Sequence, residues 1–277
     1  MLKTRILTAL VLLAVLLPVL YSNNFTAFAV VVTAFFGAAI WETFRLFNPK
    51  SNKAPVVAVF WTAAFAWTFF FSGNGAGQTF WFVISLLAWV LRFAPSLKTG
   101  LPALDSVSNT LLSLTYAVAL VGCFAAIVAL YAYSPLYLLS VLAIVWSADI
   151  FAYFCGKAFG KRKLAPSISP GKSWEGAIGG GIVTLIVATL VIVFGGEHLA
   201  NTFPVRVQAS LGWAATWLVL ILIVAASIVG DLFESQLKRR AGMKDSSNLL
   251  PGHGGVLDRI DALVPVLPLA ALIGTWL

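Results

Sequence analysis

The sequence predicts an all-α, polytopic membrane protein with about nine transmembrane helices. Three observations predict it. The 277 residues are 60% hydrophobic and only 10% charged, where a soluble domain carries about 25% charged residues. Apolar runs of about twenty residues recur along the whole chain, each long enough to cross a hydrocarbon core of ~30 Å. The basic residues sort onto alternate connectors between those runs.

The expected spans are 4–21, 25–47, 54–71, 78–94, 107–132, 135–155, 174–195, 210–237 and 257–276. The first could pass for a signal peptide, because Lys3 and Arg5 precede an apolar run. No small-x-small cleavage site follows before Tyr21, so it reads as a first transmembrane helix. Of the 18 basic residues, all but Arg206 fall on one set of connectors. Positive charge accumulates on the cytoplasmic face, which puts the N-terminus in the cytoplasm and the C-terminus in the periplasm. Most of the acids lie on or near the same side, with Glu197 the exception. No internal repeat is convincing. Residues 1–134 read as N-terminal transmembrane helices. Residues 135–277 read as a catalytic transmembrane region with two cytoplasmic loops, 156–173 and 238–256.

The net charge of +8 does not point to nucleic acid, because the basic residues sit at membrane boundaries. There they can answer anionic headgroups or a phosphorylated solute. Cys123 and Cys155 lie in apolar segments and read as inert thiols with no disulfide framework.

The chemistry concentrates near the C-terminus. In "VGDLFESQLKRRAG" (229–242) a long uncharged run ends at Asp231, and Glu234, Ser235, Lys238 and Arg239 follow on one helical face. Gly242 is a plausible stop. In "LDRID" (257–261) Asp258 and Asp261 are three apart and can face the same way. The helix dipole favours carboxylates at a helix start, but that does not explain three carboxylates at one depth on two helices. Asp231, Asp258 and Asp261 would repel unless a cation sat among them. Hard oxygen ligands suit Mg²⁺, which usually takes one or two carboxylates and leaves room for substrate phosphates. Between them, "PGHGG" (251–255) offers Gly252, Gly254 and Gly255, which allow positive φ and close backbone approach. Such a turn can form an anion-binding concavity. His253 reads first as a phosphate donor, with a general base or a plain loop residue as alternatives.

The loop "GKAFGKRKLAPSISPGKSWEG" (156–176) carries Lys157, Lys161, Arg162, Lys163 and Lys172. "GKS" suggests a P-loop, but that pattern needs a glycine five residues before Gly171, and residue 166 is proline. The expected context is also helix–loop–helix. Ser173 reads as an N-cap and Glu175 as a first-turn acid. The lysines can serve a phosphate or merely mark topology. Asp149 lies about 21 Å along a helix starting at Pro135, within the hydrocarbon depth, where a carboxylate is a functional candidate. Together these residues suit metal-assisted phosphoryl or nucleotidyl transfer onto a membrane-resident acceptor.

"SQLKRRAGMKDSSNLLPGHGGVLDRID" (235–261) resembles the signature of the phosphatidate cytidylyltransferase (CDP-diacylglycerol synthase) family. Its fixed positions are filled by Ser235, Lys238, Arg239, Lys244, Asp245, His253, Gly254, Gly255, Asp258, Arg259 and Asp261. "GD..ES" (230–235) and "KLAPSISPGKSWEG" (163–176) are similar to the bacterial enzymes. The resemblance is dense over about 140–261, whereas the first ~130 residues match only as hydrophobic spans. It implies transfer of CMP from CTP to phosphatidic acid, giving CDP-diacylglycerol and pyrophosphate. It also implies Mg²⁺, with room for a second cation, and a homodimer in the bacterial inner membrane.

On that basis Asp231, Asp258, Asp261 and Lys238 are the expected catalytic residues, with the three aspartates holding metal. Asp149, Lys163, Ser169, Lys172, Ser173, Ser235, Arg239, Lys244, Asp245, Gly252, His253, Gly254, Gly255 and Arg259 are the expected substrate contacts. A CTP-dependent enzyme acting on another lipid phosphate is the nearest alternative. A secondary transporter using Asp149 and Asp231 as coupling groups fits less well, since no repeat is seen and the charges crowd one face.

Overall fold

The computed structural model describes residues 2–22, 24–70 and 77–277. The fold is helical throughout apart from one small hairpin. In order the elements are α1 (Leu2–Tyr21), α2 (Phe25–Phe47), α3 (Ala54–Phe70), α4 (Gln78–Ala88), a π-helical turn (Trp89–Phe93) and α5 (Ala94–Thr99). Next come α6 (Val107–Tyr133), α7 (Pro135–Phe159), β1 (Lys163–Ala165), β2 (Ser169–Ser173) and α8 (Trp174–Phe194). The chain ends with α9 (Phe203–Arg240), α10 (Leu257–Ile260) and α11 (Leu263–Gly274).

Local chemistry sets several boundaries. Asn24 Oδ1 accepts from Ala27 N at 3.0 Å at the start of α2, and Ser106 Oγ accepts from Asn109 N at 3.1 Å at the start of α6. Each cap satisfies a donor the helix cannot. Pro135 opens α7 where its missing N–H costs nothing. Ser173 caps α8 as expected, its Oγ accepting from Gly176 N at 3.2 Å. Gly242 follows α9 at φ 69°.

Among the described residues, six helical stretches are long and apolar enough to cross a membrane: Phe25–Phe47, Gln78–Thr99, Val107–Tyr133, Pro135–Phe159, Trp174–Phe194 and Phe203–Arg240. The last residue of the expected 54–71 span lies outside the described residues.

Three expected segments differ in form. The helix expected over 78–94 continues to Thr99 through the π-helical turn. α9 starts at Phe203, well before 210, and breaks at Gly212 (φ 76°, ψ 176°). The 257–276 segment is not one helix but α10 and α11. Pro265 explains the break: it has no N–H for the carbonyl of Asp261 four residues earlier. The loop 156–173 also contains an antiparallel hairpin, with Lys163 opposite Ser173 and Ala165 opposite Ser169. The helix–loop–helix context expected for "GKS" is therefore corrected: β2 runs directly into α8. The missing glycine at 166 still separates it from a P-loop.

An aromatic core fixes the C-terminal part of α9. Phe233 is fully buried, its ring 4.8 Å from Phe93, 5.2 Å from Tyr116 and 5.6 Å from Trp89. Polar ties gather the helix ends at one end of the bundle. Asn109 Nδ2 donates to the carbonyls of Phe47 and Leu104. Gln236 donates to the Ser96 carbonyl, and Arg240 to that of Pro102. Thr8 of α1 donates to the Pro251 carbonyl at 2.8 Å. The β-hairpin and the 241–256 segment lie at this same end.

Candidate active site

A cavity of about 500 Å³ opens there. Its walls come from α7, the β-hairpin, α8, α9 and the α10 turn. It brings together Asp149, Asp231, Asp258 and Asp261 with Lys172, and Ser169 and Ser173 from β2. The two loops distant in sequence thus share one pocket. Small residues on facing helices (Ala148, Ala152, Gly176 and Ala177) form part of its apolar wall.

Gly230 permits the meeting of Asp231 and Asp261. A Cβ at 230 would fall 2.4 Å from the Asp261 carbonyl oxygen and 2.9 Å from Pro265 Cδ. Only the bare backbone lets α9 approach the α10–α11 junction so closely. The carbonyl that Pro265 leaves unbonded turns towards this gap.

Lysines stand among the carboxylates. Lys172 Nζ contacts Asp231 Oδ2, and Ser235 Oγ donates to Asp231 Oδ1 at 3.3 Å. Lys238 contacts Glu234, one turn earlier on α9, and donates to Asp258 Oδ1 at 2.6 Å. Asp258 Oδ2 accepts from Ser246 N and Gly255 N and lies beside Ser246 Oγ, each at 2.8 Å. Part of the repulsion that the sequence assigned to a cation is thus offset by Lys172 and Lys238.

Asp258 and Asp261 lie outside the spanning helices, at the α10 turn. Burial opposes ionisation of Asp258, but the Lys238 ammonium and the amides of Gly255 and Ser246 outweigh it. Its carboxyl is held below the usual carboxylate range. Asp261 goes the other way: burial, reinforced by the negative charge of Asp231, pushes it up to about 8.

Among the described residues, no three His, Cys, Asp or Glu side chains are grouped so as to hold a metal by themselves. The donor set nevertheless fits Mg²⁺. Asp261 uses one oxygen for Ala262 N at 2.8 Å, which leaves the other free beside Asp231. Two carboxylates completed by substrate phosphates are a usual Mg²⁺ arrangement. Asp258 fits less readily, because Lys238 and the loop occupy both its oxygens.

The remaining expected contacts are spread around the cavity. Arg239 Nε donates to the Ile168 carbonyl at 3.4 Å, tying α9 to the hairpin turn. Arg259 donates to the His253 carbonyl at 3.0 and 2.6 Å and so braces the glycine turn. In that turn Gly252 and Gly254 have φ 78° and 84°, and His253 Nδ1 is buried with no hydrogen-bond partner among the described residues. Lys163, Lys244 and Asp245 are exposed and do not line the cavity. Glu175 does more than a first-turn acid: it accepts from Lys161 N and Arg162 N and pairs with the Arg162 side chain.

Sequence reasoning missed Glu42 and gave Glu234 no role. Both are fully buried. Glu42 of α2 accepts from Val256 N at 3.0 Å and Leu257 N at 2.6 Å, and from the hydroxyls of Ser246 and Ser247. The signal was available: a lone acid in "GAAIWETF" is as conspicuous as Asp149, and the same rule applies to both.

Fold and site define a polytopic helical membrane protein whose charged cavity suits phosphate chemistry at a helix-bundle end. The chain belongs to the cytidylyltransferase family, whose model matches residues 3–277. It is 38% identical to the phosphatidate cytidylyltransferase of Haemophilus influenzae, over 97% of this chain and 96% of that protein. It is also 38% identical to that of Pseudomonas aeruginosa, over 98% and 96%. The Brucella abortus protein of the same name is 48% identical over 134 residues, covering 48% of this chain and 45% of that one.

Proposed function

We propose that this cytidylyltransferase transfers CMP from CTP to phosphatidic acid, giving CDP-diacylglycerol and pyrophosphate in phospholipid synthesis. The observation that carries the reading is the single cavity, which joins Lys172 of the hairpin to Asp231, Asp258 and Asp261. The relatives matched over nearly their whole length carry that enzyme's name.

In this reading a phosphatidate oxygen attacks the α-phosphorus of CTP in line. The new P–O bond forms as the bond to pyrophosphate breaks. The nucleophile is already ionised, so little base catalysis is needed. Lys172 swings from Asp231 to phosphate oxygens, and Lys238 holds Asp258 in place while offsetting charge. Ser169, Ser173 and Asp149 line the cavity and meet the substrates directly, Ser235, Arg239, Arg259 and the 252–255 turn brace its surroundings, and Lys163, Lys244 and Asp245 lie outside its lining. When bound at Asp231 and Asp261, with Asp258 adjacent, Mg²⁺ supplies Lewis-acid stabilisation of the phosphate charge. A second cation, implied by the family resemblance, belongs to the same proposal.

The topology belongs to the same proposal. The six stretches named above, with α1, α3 and the shorter apolar α11, complete the proposed nine crossings of the bacterial inner membrane, with the N-terminus cytoplasmic and the C-terminus periplasmic. The sorting of the basic residues supports it. The cavity then faces the cytoplasm, where CTP is dissolved, at the depth of the lipid headgroup. Residues 135–277 carry the catalytic region, and the homodimer is carried over from the family resemblance.

Comparing purified protein with CTP plus phosphatidate, and with CTP plus a phosphorylated lipid of different backbone, tests the substrate. Faster turnover with phosphatidate is expected. Faster turnover with the other lipid would reassign the enzyme to a related activation reaction.

A further inference from the structure

We propose that Glu42, in the N-terminal half of the chain, is the positioning residue that holds the 246–257 loop, and through Ser246 the Asp258 carboxylate, in working geometry. The proposal rests on the site reading above, in which Asp258 belongs to the reacting centre.

Glu42 is fully buried, and a buried carboxylate persists only where donors surround it. Here two amides and the Ser247 hydroxyl donate, and the one proton of Ser246 Oγ is shared between Glu42 and Asp258; these groups come from both ends of one loop. Ser246 Oγ (3.1 Å) and Ser247 Oγ approach from its start. Val256 N (3.0 Å) and Leu257 N (2.6 Å) approach from its end. The carboxylate therefore closes the loop as a staple, and it satisfies two amides at the start of α10 that no helical carbonyl can reach.

Ser246 connects the staple to the cavity. Its Oγ lies 3.1 Å from Glu42 Oε2 and 2.8 Å from Asp258 Oδ2, while its backbone N–H donates to Asp258 at 2.8 Å. Moving Glu42 therefore moves the residue that orients Asp258. The second glycine of "HGG" records the same contact. A Cβ at Gly255 would fall 2.1 Å from Ser246 Oγ and 2.3 Å from Glu42 Oε1. The sequence signature at 254–255 is thus complementary to an acid on α2, more than 200 residues away.

The test uses the purified full-length chain with three variants: Glu42→Gln, Ser246→Ala and the double variant, with Asp258→Asn as control. Gln keeps the shape, but its NH₂ faces N–H donors where an oxygen accepted them. Turnover should fall about 100-fold while KM for phosphatidate changes less than about threefold, the mark of an interaction needed at the reacting centre. The melting temperature should fall as well, because buried donors lose their acceptor, so turnover is read well below the melting point of each variant. The double variant should be little worse than the poorer single, because both act along one path. Should Glu42→Gln not fold, the same cycle is run with Glu42→Asp, which keeps the charge and withdraws it by one methylene. Multiplicative losses, or turnover that returns to wild type once each variant is assayed well below its melting temperature, would reduce Glu42 to a structural role and overturn the proposal. Unchanged turnover in Glu42→Gln beside an inactive Asp258→Asn overturns it alone, whereas an active Asp258→Asn removes the site reading as well.

Discussion

Lys238 bridges two buried carboxylates that stand on different elements. Its ammonium touches the fully buried Glu234 on its own helix and donates to Asp258 Oδ1 at 2.6 Å across the cavity wall. It thus links the α9 core to the loop that carries the family signature.

Replacing Lys238 by Met strands Glu234 as an unpaired buried charge, a change that costs about 3–5 kcal/mol. A lowered melting temperature and lost turnover are expected. Adding Glu234→Gln should restore much of the stability but none of the turnover, because Asp258 still lacks its partner. Recovery of both would remove Lys238 from the reacting centre.

Asp258→Asn and Asp261→Asn should each lower turnover about 10³-fold, as expected for loss of one carboxylate from a small charge-stabilising set. They should differ in stability. Asp258 accepts from Lys238 and from the Ser246 and Gly255 amides and abuts the Ser246 hydroxyl, so its amide also loosens the loop and lowers the melting temperature. Asp261 accepts one hydrogen bond, from Ala262 N, and its amide should melt near wild type. Turnover above about a tenth of wild type contradicts the metal-holding role of Asp261 or, for the other variant, the place of Asp258 in the reacting centre.

The two hairpin lysines should separate. Lys172→Met should raise KM for CTP and lower kcat/KM about tenfold or more, with Lys172→Arg a partial rescue, since a planar fork replaces a point charge. Lys163→Met should leave both near wild type, because Lys163 is exposed and does not line the cavity. Equal losses in the two would show that the hairpin acts through its overall charge.

Gly255→Ala should destabilise the loop by about 1–3 kcal/mol, the usual cost of overpacking a tight site, because the new methyl meets Ser246 and Glu42. A melting temperature equal to wild type would contradict the close approach.

Much of this was legible in the sequence. Asp231, Asp258 and Asp261 were placed together by helical spacing and charge repulsion, and they line one cavity. Ser173 and Gly242 end their elements as their chemistry dictates. Other features were hidden for physical reasons. "KLA" and "SPGKS" lack the β-branched and aromatic residues that mark strands, so the hairpin read as loop. The break at Asp261 depends on Pro265, which a tally of apolar residues does not register. Ser247, an unremarkable loop residue by sequence, proves almost fully buried against Glu42. Such long-range partners cannot be inferred from spacing.

Topology can be checked on the neighbouring residue, Asn248, which is exposed. A cysteine there should react with an impermeant thiol reagent in inside-out vesicles only. Reaction in right-side-out cells would invert the assignment of the cytoplasmic face.

The most direct measurement follows the label in purified protein supplied with phosphatidate, Mg²⁺ and CTP labelled at either the α- or the γ-phosphorus. The account expects the α-label in the lipid product and the γ-label in pyrophosphate, one for one, with neither product formed when phosphatidate is omitted. Label remaining in CTP under all conditions, or γ-label appearing in lipid, would contradict cytidylyl transfer at this cavity.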